Sequence, residues 1–79
     1  MGKVATVFKV YSDDADSVKA RISSEMKPQS IQLEDIAFGI KIIKVMFVHE
    51  DKDGSTEYED RLKKIEGIRD VEVDEETLI

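Results

Sequence analysis

This 79-residue chain contains no cysteine, so neither a disulfide nor a thiolate metal site can reinforce it. It also has no asparagine, which counts against an acylphosphatase, an activity that relies on one. A single histidine, His49, leaves a transition-metal site to one imidazole and carboxylates, and the simpler reading is a solvated histidine at a strand end. No phosphate-binding glycine loop, G-x-G-x-x-G or G-x-S-x-G is present. The amino terminus shows no signal-peptide apolar region, and no run approaches the roughly 20 apolar residues of a membrane span. With the lack of cysteine this favours a cytoplasmic protein. Met1-Gly2 is a chance match to an acylation signal, because Thr6 lies within a strand pattern.

What is abundant is charge. The net value of −6 and a pI near 4.7 repel phosphate backbones, so a nucleic-acid module is disfavoured and no direct nucleic-acid or membrane partner is expected. At this length one domain is expected, 1–79. Such a domain buries only about 60% of its unfolded surface, so each large apolar residue matters. Paired acids such as Asp13-Asp14 and Glu75-Glu76 read as solvated helix-start and tail charges rather than as acid–base machinery. Asp51, Asp53 and Glu57 around Gly54 lack the full calcium-loop frame and read as a surface turn. No catalytic residue, metal site or cofactor is expected.

Periodicity supplies the order of elements. Val4, Thr6, Phe8 and Val10 alternate on one face of a first strand over Lys3–Tyr11. Ser12-Asp13-Asp14 offers helix-start chemistry, Ala15, Val18, Ile22 and Met26 follow at helical spacing, and Pro28 stops the helix. Ile31–Ala37 and Ile40–His49 read as two strands, with Phe38-Gly39 at the corner and Ile43, Val45 and Phe47 facing the core. After an acidic loop at 50–54, Thr56 and Glu59 have capping-box spacing, Tyr58, Leu62 and Ile65 share a helical face, and Gly67 suits a left-handed residue past the helix end. Ile68–Val73 is a fourth strand, and Asp74–Ile79 a short acidic tail. The order β-α-β-β-α-β predicts a ferredoxin-like plait, a four-stranded antiparallel sheet in order 4-1-3-2 with two helices on one face. The predicted core is Phe8, Val10, Val18, Ile22, Ile43, Val45, Phe47, Leu62, Ile65 and Val71.

Ile36-Ala37-Phe38-Gly39-Ile40-Lys41, followed by Lys44-Val45-Met46-Phe47-Val48 and an acidic turn, resembles the exchange domain of the translation elongation factor 1-beta family, its short archaeal form most closely. Val10-Tyr11-Ser12-Asp13-Asp14 and Ile65-Glu66-Gly67-Ile68-Arg69-Asp70-Val71-Glu72-Val73 extend the likeness over nearly the whole chain. The resemblance implies a guanine-nucleotide exchange factor that makes no covalent bond, binds elongation factor 1-alpha and releases its GDP. It puts Phe38 where the family contacts the GTPase, with Ala37, Gly39 and Ile40 shaping the corner, and Leu78 and Ile79 near a second contact. The bland alternative for Phe38 is packing at the edge of the core. Eukaryotic members insert a near-terminal lysine toward the partner's metal site, and Glu75-Glu76-Thr77-Leu78-Ile79 has none. Here Leu78 and Ile79 wedge sterically, Glu75 and Glu76 compete for a cation, or the tail simply frays. The free chain is expected to be a monomer. The competing reading is an ACT-like regulatory or oligomerisation plait. Its usual glycine is missing from the first loop, and Lys9, Lys41 and Lys44 blunt strand pairing.

Overall fold

The computed structural model describes residues 2–50 and 56–79. Six elements follow in the order β1 (Lys3–Ser12), α1 (Ala15–Met26), β2 (Ser30–Ala37), β3 (Ile40–Glu50), α2 (Thr56–Lys63) and β4 (Ile68–Leu78). All four strands form one antiparallel sheet in the order β2-β3-β1-β4. This is the ferredoxin-like plait that the spacing predicts. The acidic loop expected at 50–54 lies outside the described residues apart from Glu50, which ends β3.

Alternation along β1 and β3 builds one dry face. Phe8 opposes Val45, Val10 opposes Ile43 and Thr6 opposes Phe47, all buried. Ala15, Val18 and Ile22 from α1 and Leu62 from α2 close over that face, so both helices share one side of the sheet. Every predicted core residue is buried except Ile65, which is half-covered. Ile65 lies beyond α2, because the helix ends at Lys63 and tight turns carry the chain on to Ile68. Gly67, four residues past that end, has φ +99°, and a Cβ there would meet Val18 Cγ2 at 2.9 Å. Only glycine fits the conformation and the space together.

Phe47 lies at the centre of an aromatic row. It meets Phe8 edge-on at 6.0 Å and stacks on Tyr58 at 4.8 Å, while the Tyr58 ring lies 5.2 Å from His49. His49 is 5% exposed, which corrects the reading of a solvated strand-end histidine. The physical reason is phase. β3 continues to Glu50, so the inward series Ile43, Val45, Phe47 gains His49 as its fourth member. Its Nδ1 lies 2.9 Å from the Glu50 carbonyl oxygen, an atom that can only accept. Nδ1 therefore carries the proton, and Nε2 accepts from the Thr6 hydroxyl at 2.9 Å. Each buried polar side chain thus satisfies the other.

The acidic tail also departs from expectation. It does not fray: β4 runs through to Leu78, which pairs with Val4, and the Ile79 N–H donates to the Lys3 carbonyl at 2.9 Å. Backbone pairing with β1 outweighs the poor strand propensity of Asp and Glu, because an edge strand leaves those side chains in water.

Candidate functional site

Two apolar ends of the sheet stand out. At the first, Ala37 pairs with Ile40 around the two-residue loop Phe38-Gly39. Both loop residues have positive φ, +51° and +76°, which is what the twist of a tight hairpin demands. Asparagine or glycine usually takes the first position, and an aromatic residue held there costs about 1–2 kcal/mol. Phe38 gains nothing from packing in return, being 101% exposed, with Ile36 and Ile40 half-exposed beside it. Packing into the core edge is therefore not what this side chain does. A Cβ on Gly39 would meet no atom within 4 Å, so the backbone angle and not crowding selects glycine there.

The corner borders an open cleft of about 300 Å³, lined by Ser12, Asp13, Asp14, Asp16, Gly39 and Lys41 among others. Ser12 holds its rim. Its hydroxyl donates to the Gly67 carbonyl at 2.7 Å and accepts the Asp14 N–H at 3.0 Å. Asp14 occupies the cap position of α1 without a side-chain capping bond, and the Ser12 oxygen holds the Asp14 N–H just ahead of the helix rather than a donor of its first turn. Asp13 is held by Arg69 at 3.1 Å.

At the far end lie Leu78 and Ile79, both about 70% exposed. The register separates the two ends. Tyr11 pairs with Ile42 near the corner, and Val4 pairs with Leu78 seven residues back along β1. That interval alone spans roughly 23 Å at 3.3 Å per residue. Ala37, Phe38, Gly39 and Ile40 thus form one cluster, and Leu78 and Ile79 another.

Between them, the sheet face away from the helices carries a line of charge. Lys44 contacts Glu34 at 3.0 Å and Asp74 at 3.7 Å, and Lys9 contacts Asp74 at 3.5 Å. Tyr11 donates to Glu72 at 3.1 Å. The Glu34 hydrogen bond raises the Lys44 ammonium above its ordinary pKa, and the Glu72 hydrogen bond does the same for the Tyr11 phenol. A second groove, of about 540 Å³ between the helices, mixes Arg21, Arg61 and Lys64 with Glu25 and Glu66. Among the described residues no group of three or more potential metal ligands converges, and no buried side-chain polar atom lacks a hydrogen bond.

The described residues thus form a ferredoxin-like plait that displays apolar side chains at two separated ends and keeps its buried polar pair satisfied. The EF-1 guanine nucleotide exchange domain matches residues 6–79, and the chain belongs to that family. It is similar to elongation factor 1-beta of Aeropyrum pernix, 40% identical with 94% of this chain and 93% of that protein covered. Elongation factor 1-beta of Methanosphaerula palustris is 39% identical with 99% of each chain covered, and that of Methanoculleus marisnigri 36% with both covered fully. The resemblance read from the Phe38 corner is thereby shown.

Proposed function

We propose that this chain, as one exchange domain over 1–79, docks on elongation factor 1-alpha and speeds the release of its GDP during translation elongation. The observation that carries the reading is Phe38, fully exposed at a hairpin corner whose backbone is strained to present it. Family membership supplies the nucleotide-exchange role. Ala37, Gly39 and Ile40 complete the first contact, and Leu78 and Ile79 supply the second.

The task needs no covalent chemistry. An exchange factor binds the nucleotide-free GTPase more tightly than the GDP-bound form, and by linkage it weakens GDP by the same factor. Two contacts joined by a stiff sheet suit that task, because a rigid bar can hold two parts of a partner in an arrangement that disfavours the nucleotide. The protein acts in the cytoplasm and is a monomer when free. No helix among the described residues is long and apolar enough to cross a membrane.

The test is release of labelled GDP from elongation factor 1-alpha. Catalytic amounts of this chain should accelerate it and hydrolyse no nucleotide. An unchanged release rate at saturating concentration removes the proposal.

A further inference from the structure

β4 does not pair with β1 in a simple ladder. Val73 opposes Phe8 and Glu75 opposes Val7, so Asp74 is an extra residue bulged between them. The consequence is geometric. With the bulge, Glu76 opposes Thr6 and Leu78 opposes Val4, on the side that carries the helices, while Glu75 and Thr77 take the open face. In an unbulged ladder from Val73 onward, Asp74 would oppose Val7 and Thr77 would oppose Val4. Leu78 and Glu76 would then turn to the open face, because a one-residue slip reverses every side chain.

The bulge is held in place. Lys9 and Lys44 are direct cross-strand partners, an arrangement in which like charges repel. Asp74 reaches both, one carboxylate oxygen 3.5 Å from Lys9 and the other 3.7 Å from Lys44. Its side chain is only 27% exposed, so the contacts are partly shielded from water. Glu34 fixes Lys44 from the other side at 3.0 Å, tying the bulge to all four strands. Bulges commonly re-aim side chains beside functional sites.

We propose that Asp74 is a positioning residue for exchange. Its bulge, pinned by Lys9 and Lys44, sets the register of β4 so that Leu78 and Glu76 form the working face of the strand end. Glu75 and Thr77 form the back. This rests on the exchange function proposed above, and it assigns different roles to residues that the sequence leaves equivalent.

The experiment compares Asp74→Val with deletion of Asp74. Valine removes both pins and favours a regular ladder. Deletion removes the extra residue, so Val4 still pairs with Leu78 without any pin. Cross-strand NMR contacts should show Val4 near Thr77 in Asp74→Val, with the ratio of the two registers shifted about five- to tenfold, the scale of two partly exposed ion pairs. The deletion variant should keep the Val4–Leu78 contact. The maximal rate of GDP release should fall in Asp74→Val and stay near that of the unaltered chain in the deletion. Glu76→Gln or Leu78→Ala should lower it, and Glu75→Gln should not. Three results overturn the inference: an unchanged register in Asp74→Val, a changed register with an unchanged rate, or a deletion variant as impaired as the valine. Failure of the unaltered chain to release GDP would instead overturn the exchange function, and the NMR contacts would still decide the register.

Discussion

Replacing Phe38 separates binding from stability. The side chain is fully exposed, so truncation to alanine removes no buried area and opens no cavity. Its backbone lies at φ +51°, a left-handed conformation that costs a bulky residue about 1–2 kcal/mol and asparagine or glycine much less. Phe38→Asn should therefore stabilise the fold by about 0.5–1 kcal/mol. For a domain of this size that is roughly a 3–6 °C rise in melting temperature. Phe38→Ala should leave the melting temperature nearly unchanged. Both variants should bind the nucleotide-free partner at least about thirtyfold more weakly, since an aromatic anchor contributes about 2 kcal/mol or more to an interface. Thermal unfolding followed by circular dichroism gives the first quantity, and titration calorimetry gives the second. A melting temperature lowered by more than about 10 °C with unchanged affinity would refute both the exposure and the docking role.

Phe47→Ala should behave oppositely, losing about 3–5 kcal/mol in urea unfolding because the ring contacts Phe8 and Tyr58 in the core. That is a large share of the roughly 4–12 kcal/mol available to a chain this short. Gly67→Ala should cost about 1–3 kcal/mol in the same assay, through its positive φ and the contact with Val18; a neutral result would mean that the turn re-forms without strain. Stability should fall in alkali. The folded pKa values of Lys44 and Tyr11 are raised, so the stabilisation linked to them is complete below the unfolded values and fades as pH rises through the folded ones. The urea midpoint should thus stay level to about pH 9 and decline above about pH 10, less steeply in Lys44→Met.

The sheet was legible because β1 and β3 are regular. Val4, Thr6, Phe8 and Val10 keep period two, as do Ile43, Val45 and Phe47, and these strands carry most of the core. One more step of the same alternation would have placed His49 inside. Polarity argued against it, and only a partner hydroxyl on the neighbouring strand, Thr6, makes burial tolerable. β4 was harder for a different reason. Its inward residues Ile68, Val71, Val73, Glu76 and Leu78 follow no fixed period, because Arg69 and Asp74 sit at two register shifts. Acids at Asp74, Glu75 and Glu76 further disguised the second half of the strand as a tail. The Phe38 corner and its exposure to solvent were both legible, from a glycine beside an aromatic ahead of a β-branched run.

The two apolar ends gain meaning from the stiffness between them. The molecule measures 42 × 22 × 17 Å, and strands of 10–11 residues, roughly 33–37 Å long, account for the long axis. A bar of this kind transmits a displacement only if its strands cannot slide. β1 is central, hydrogen-bonded along its length to β3 on one side and β4 on the other. The boundary with β4 carries two register shifts, and acids crowd along that edge strand. The Asp74 contacts to Lys9 and Lys44 reinforce that boundary between the two ends. Loss of the pins should therefore weaken the coupling of the ends more than it weakens the core, since the helices pack on the opposite face of the sheet. Combining Phe38→Ala with Asp74→Val tests this. If the ends act as one lever, the two losses in exchange rate should not add, because a bar released at either end exerts no force. Independent contacts would give additive losses in the logarithm of the rate.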